Sequence, residues 1–219
     1  KAPYTHWMTF DFVERKPSEA TVALRWDELE VPVRVEVPDV DGLYLAAIRE
    51  ELRNRNGFSW QAWEEAAQFC LGKKINLPEA LKWAESAVSA PFTGQANFKS
   101  LSTLSQAQAA NGLADAAKAT MQKALEHPTA SATDLHMYAR QLQAQKKTDE
   151  AVAVFLLNAK RHPDVWPVNV GLARAYAAQG KTKEALAAAK KALAQAPDDG
   201  NRNNLKSMIA KMEKGEPIN

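Results

Sequence analysis

The sequence predicts a mostly α-helical chain: an α-solenoid of about four helical hairpins, preceded by a small three-stranded antiparallel β-meander. Three observations carry this. Between positions 132 and 199 the chain repeats itself at one fixed spacing, which matches Ala139 with Ala173, Ala151 with Ala185 and Pro163 with Pro197. Leu135/Asn169, Tyr138/Leu172 and Leu142/Tyr176 keep the same register. From Ser59 onward apolar residues recur at helical spacing between turn signals, whereas before Pro38 they alternate with period two.

The strands come first. Residues 7–14 place Met8, Phe10 and Phe12 on an apolar face, as in a half-buried strand. Lys16-Pro17-Ser18-Glu19 reads as a turn. Residues 20–26 resume with Ala20, Val22, Leu24 and Trp26 on one face. Residues 31–37 alternate Val31, Val33, Val35 and Val37 inward with Arg34 and Glu36 outward. Pro32 lacks an N–H, which marks an edge strand or an irregularity. Three strands with one apolar face need a cover. The helices that follow and strands preceding Lys1 both qualify.

Pro38-Asp39-Val40-Asp41-Gly42 ends the sheet, and Asp41 reads as the N-cap of a bridging helix through about Asn54. Asn56-Gly57 closes it, with Gly57 suited to a left-handed cap. Ser59 is the expected N-cap of the first hairpin, whose helices are 60–71 and one opening at Leu77-Pro78. The later hairpins are 98–111 with 114–126, 132–145 with 148–161, and 166–179 with 182–195. A polar helix over 199–214, with one stripe of Leu205, Met208, Ile209 and Met212, caps the array. The organisation is a meander over 1–40, a bridge over 41–57 and repeats over 58–219.

Composition narrows function. A net charge of +2 is too small to argue for nucleic acid, and none is expected as partner; residues 1–57 carry −3 and 58–219 carry +5. The longest apolar runs fall short of the ~18 residues of a membrane span, so no membrane insertion is expected. The single cysteine, Cys70, lies in an apolar helical run and reads as a buried, inert thiol. His6, His127, His136 and His162 form no metal spacing, and neither nucleophile elbow nor phosphate loop occurs. No cofactor and no catalytic residue is expected. The chain starts at Lys1 without Met, which reads as a processed or truncated terminus.

The period, about 34 residues, and its small side chains resemble the tetratricopeptide repeat. The best copy, 166–199, carries Leu172-Ala173, Tyr176, Gly180, Ala185, Ala192-Leu193 and Pro197 at the motif positions. Copy 132–165 has Lys146 in place of the turn glycine and Asn158 in place of a small residue; copy 98–131 keeps Gly112, Ala117 and Ala124-Leu125; residues 60–97 are degenerate. The strands YTHWMTFDF, ATVALRW and VPVRVEV are similar to the C-terminal strands of the bacterial domain of unknown function 2911. That second resemblance implies a periplasmic or secreted protein with β-strands upstream, and it supplies no catalytic residue.

Tetratricopeptide arrays bind extended peptides on the concave face lined by the first helix of each pair. The resemblance therefore implies a groove of Glu64 and Gln68, then Lys99, Ser102 and Gln106, then Thr133, His136 and Arg140, then Val170 and Arg174. Arg140 and Arg174 occupy equivalent positions of successive copies, and His136 shares the helical face of Arg140. Together they form a basic patch suited to a carboxylate or phosphate. The alternative is a solvated, unused face; Glu64/Glu65 likewise read as solvated. The lysine–asparagine carboxylate clamp of chaperone-binding members is not reproduced. Trp60, Trp63 and Trp83 read as core and wedge residues between sheet and solenoid, with a sugar- or peptide-stacking platform as the alternative, and His127 and His162 as helix-terminal cations.

The expected function is a non-enzymatic module that binds a protein or peptide partner, with an acidic one favoured by the patch. A structural role stands beside it: support or dimerisation of the β part, with a homodimer through the strand edge near 7–14. A ligand or enzymatic site at the sheet–helix junction is the third reading.

Overall fold

The computed structural model describes residues 2–218. Strands β1 (Thr5–Arg15), β2 (Glu19–Asp27) and β3 (Leu29–Glu36) form one antiparallel sheet in the order β1-β2-β3. β3 is thus an edge strand, which explains how it tolerates Pro32. The β2–β3 turn is tight, and Asp27 takes a left-handed φ of 54° there. Phe10 pairs with Leu24 and Leu24 with Val31, while Phe12 pairs with Val22 and Val22 with Val33. The opposite face is polar and laced by ions. Arg25 reaches Glu30 at 2.6 Å and Asp11 at 3.5 Å, and Arg34 pairs with Glu19 and, at 2.8 Å, with Glu36.

The apolar face of the sheet follows the expected pattern but is not half-buried. Phe10 is 69% exposed and Val33 53%, and among the described residues no helix packs along the sheet. The helices spend their apolar stripes on one another. Helix α1 (Val40–Arg53) buries Leu45 and Leu52 against α2 (Trp60–Lys73) and α3 (Leu77–Ser89), in a cluster with Ala67, Cys70, Trp83 and Ala84. Arg49 fastens α1 to α3 with two bonds to Glu79, at 2.8 and 2.7 Å.

Two local expectations need correction. Asp39, not Asp41, caps α1: its carboxylate accepts from the Gly42 N–H at 2.8 Å, while Asp41 pairs with Lys73 on α2. Gly57 lies in a 3-10 turn, Arg55–Phe58, without a left-handed φ. Its role is close approach, because a Cβ there would sit 1.9 Å from the Leu52 carbonyl oxygen. Ser59 occupies the N-cap position of α2, yet its hydroxyl turns to Gln61.

The remaining helices are α4 (Phe98–Ala110), α5 (Ala114–Glu126), α6 (Ala132–Ala144), α7 (Thr148–Arg161), α8 (Trp166–Ala178), α9 (Thr182–Ala194) and α10 (Asp199–Glu213). They form, with α2 and α3, four antiparallel hairpins and a terminal cap, as the periodicity predicts. Asn97 and Ser131 open α4 and α6 with reciprocal capping boxes, and Asp198 opens α10. The cap buries Leu205, Ile209 and Met212 and leaves its other side to water.

Three hairpin turns keep the repeat register in backbone conformation as well. Gly112, Lys146 and Gly180 all have positive φ, at 78°, 62° and 73°. Lys146 holds the conformation against its own Cβ, a strain of about 1 kcal/mol. Replacing Lys146 by Gly is therefore expected to stabilise the chain by up to about 1 kcal/mol, and Gly180→Ala to destabilise it similarly. Urea unfolding of both variants measures this; an unstable Lys146→Gly protein would show that the lysine side chain holds the turn by other means.

Candidate functional site

The first helices of the hairpins share one face, with α2 against α4 and α6 against α8. Two clusters lie on it. The first is built on Glu64, which is 1% exposed although its sequence position reads as solvated. Its Oε1 accepts from the Thr103 hydroxyl at 2.8 Å, and Gln68 donates to the same hydroxyl at 2.8 Å. Lys99 Nζ stands 2.8 Å from Glu64 Oε2. A buried carboxylate needs such compensation, and Thr103 on the neighbouring helix supplies what a single-helix reading of Glu64 cannot show. These residues, with Trp60, Ser102 and Gln106, line a groove of about 630 Å³. Lys99 thus pairs with Glu64 while remaining half exposed at the groove. Thr133 is exposed on the first turn of α6 and does not line this groove. Val170, expected in the groove, is buried in the core between α8 and α10.

The second cluster brings His136, Arg140 and Arg174 together. Gly171, mid-helix in α8, makes it possible. A Cβ at Gly171 would stand 2.5 Å from the Phe155 ring and 3.4 Å from His136 Nδ1. Without one, α8 approaches α6 and α7 closely enough for the His136 and Phe155 rings to pack with centroids 5.6 Å apart. A glycine inside a helix costs about 1 kcal/mol relative to alanine, so its presence was the available signal for a close crossing here.

That close packing sets the electrostatics. Burial, then Arg174, then Arg140 lower the His136 pKa to about 4, against a hydrogen bond with the Pro167 backbone. His136 is therefore a neutral ring at pH 7, and the charge of the patch resides on the two arginines. Burial, and then Arg140, lower the Arg174 pKa to about 10, which leaves the guanidinium charged. Arg140 donates to Gln143 Oε1 at 3.2 Å. Arg174 Nε and Nη1 and His136 Nδ1 are buried without a hydrogen-bond partner. No carboxylate among the described residues forms an ion pair with Arg140 or Arg174. Arg174 and Gln143 also line a cavity of about 460 Å³, to which Gly215–Ile218 contribute.

Other singled-out residues have structural roles. Cys70 is fully buried, and burial pushes its thiol pKa up. Trp83 is core, and Trp63 donates to the Gly57 carbonyl at 2.9 Å; both pack on the bridging helix rather than the sheet, while Trp60 walls the groove. His127 and His162 stand at the ends of α5 and α7, where His162 Nε2 donates to the Ala130 carbonyl at 2.9 Å. Among the described residues no His/Cys/Asp/Glu group could hold a metal ion, and no helix is long and apolar enough to cross a membrane.

The tetratricopeptide repeat family profile matches residues 142–209. That span runs from the end of α6 into α10, the part of the chain where the repeat period is best kept, and does not reach the strands. Among solved structures, the crystal structure of YrrB, described as a TPR protein with an unusual peptide-binding site, is similar at 20% identity. The similarity covers 77% of this chain and 86% of that one, with a TM-score of 0.45. No curated protein matches.

The buried imidazole makes stability depend on pH. Its unfolded-state pKa is near 6.5 and its folded-state pKa about 4. Between these values the unfolded chain binds a proton that the folded chain refuses, so stability falls as pH drops from 6.5 toward 4. The loss from this one group approaches about 3 kcal/mol. His136→Gln is expected to flatten the midpoint of urea unfolding over that window; an unchanged slope would mean that His136 does not carry the dependence.

Proposed function

We propose that this chain is a non-enzymatic protein- or peptide-binding module, which receives an anionic group of its partner at Arg174 and Arg140. One observation carries the reading: Arg174 holds a charged guanidinium whose Nε and Nη1 are buried and unpaired beside a second arginine. Such an arrangement destabilises the unliganded fold, because a buried charge without partner is costly. A carboxylate would relieve it with charge-assisted hydrogen bonds, and Arg suits this geometry. The neutral His136 adds a polar contact without adding a third positive charge.

The rest of the same face supports an extended partner. The groove at Glu64, Lys99, Ser102 and Gln106 offers hydrogen bonds and the flank of Trp60, and it lies on the helices preceding the arginine cluster. A partner segment running from α2 to α8 would meet polar groups first and the arginines last. The match to the tetratricopeptide repeat over 142–209 supports the same class of function. The Glu216 side of the 460 Å³ cavity favours a subsidiary reading in which the C-terminal tail competes with the partner for Arg174.

The test separates binding from folding. Short labelled peptides that carry a free C-terminal carboxylate, an internal glutamate, or neither are titrated against the chain by fluorescence polarisation. The anionic peptides are expected to bind, and Arg174→Met to weaken them about 30-fold or more. The same variant is expected to be more stable than the parent by about 1 kcal/mol or more, because it removes an unpaired buried charge. Equal binding of all three peptides, or an Arg174→Met protein that binds undiminished, would sink the reading.

A further inference from the structure

We infer that the apolar face of the β-sheet is a dimerisation surface, and that its occupant is the same face of a second copy of this chain. The face is continuous. Rows of paired residues cross it, Phe10–Leu24–Val31 and Phe12–Val22–Val33, flanked by Ala20–Val35 and Trp26–Leu29, and Met8 extends the stripe on β1. The two central rows and the Trp26–Leu29 pair contain no charged side chain; at the rim Arg15 stands opposite Ala20, with its guanidinium over the Phe12 ring at 4.8 Å from the centroid. Met8, Phe10, Phe12, Trp26, Leu29, Val31, Val33 and Val35 are each 48–69% exposed. A three-stranded sheet with its apolar face in water is not a stable arrangement, and the ion pairs all lie on the other face.

The size of the face fits a second copy. With aromatic side chains presenting ~150–250 Å² each, the eight side chains leave on the order of 900 Å² of accessible surface per copy. Two copies then bury about 1,800 Å² together, within the range of stable specific interfaces. The shape fits as well. Side chains are bulky along β1 (Met8, Phe10, Phe12) and short along β3 (Val31, Val33, Val35), so the face is a wedge. A two-fold axis parallel to the strands, midway between two stacked sheets, lays β1 of each copy over β3 of the other. The thick edge meets the thin edge, and the two sheets stack at an even spacing of about 10 Å.

The strand edges are poorer candidates. Pro32 removes a donor from β3. β1 is broken by register shifts between Thr5 and Thr9 and between Phe12 and Glu14, and bulges of this kind discourage edge pairing. The face is thus the route by which this sheet is covered.

Sedimentation equilibrium of the full chain is expected to give twice the 24.1 kDa chain mass, and Phe12→Asp and Val33→Asp to return it to the single mass with unchanged helical circular dichroism. A second measurement guards against variants that lose the sheet. In a Cys70→Ala background, Phe12→Cys protein mixed with Val33→Cys protein is expected to cross-link with a short bis-maleimide, whereas neither protein alone does so. A single-chain mass at all concentrations would overturn the proposal. So would a dimer that survives both aspartates, or one without the mixed cross-link.

Discussion

Alanine at the helix crossings is what the helical array depends on. Ala67, Ala84, Ala139, Ala151, Ala173 and Ala185 are fully buried, and they stand where the two helices of a hairpin approach each other. Larger side chains at such points would overpack by about 1–3 kcal/mol each. One junction departs from the rule. The second and third hairpins meet through Leu101, Met121, Leu125 and Leu135, and their backbones approach less closely than those of other neighbours. Polar contacts stitch that junction. Arg161 donates to the carbonyls of Leu125 and, at 2.9 Å, His127, while His162 reaches Ala130. Gln195, the repeat equivalent of Arg161, serves the same end by donating to the Asp164 carbonyl at 3.1 Å.

The same economy of volume produces the arginine cluster. Gly171 carries the close crossing to its limit, with Phe155 and His136 filling the space of its missing side chain. Close packing strips water from His136 and Arg174, and desolvation is the largest cause of both pKa shifts. Water is stripped from the Arg174 guanidinium, so the repulsion it meets from Arg140 is strengthened. The site is therefore electrostatically unfinished in the unliganded chain. The Glu64 cluster differs: its buried carboxylate accepts from Thr103, which Gln68 supports, and its charge is met by the ion pair with Lys99. Of the two, only the arginine cluster has something to gain from an anion.

Much of the fold was legible because the packing constraint is periodic. Ala151/Ala185 and Pro163/Pro197 reveal the hairpins, and the helices found at 132–144, 148–161, 166–178 and 182–194 fall within the spans that this period gives. The equivalence of Arg140 and Arg174 was also visible, since a repeat spacing needs no coordinates. Depth was not. Whether Arg174 is solvated depends on how far α8 sinks toward α6, which Gly171 decides through contacts with Phe155 on a third helix. Glu64 was misjudged for the same reason: its partner Thr103 lies on a different hairpin, outside any helical-face pattern. The caps at Asp39 and Gly57 turned on competition between adjacent candidates, Asp39 against Asp41 and close approach against handedness, which local propensity leaves undecided.

The sheet shows where a hydrophobic pattern stops being informative. Alternation in Met8–Phe12 and Val31–Val35 establishes that one face seeks burial, but a face that will meet its own chain and a face that will meet another have the same pattern. In the solenoid every hairpin's apolar side is answered by the next hairpin, and the last by α10, so the array closes on itself. The meander has no such successor: α1 turns Leu45 and Leu52 toward α2 and α3, away from the strands. Among the described residues the apolar surface therefore divides into one part consumed by folding and one part left exposed. The arginine cluster repeats the same division in charge.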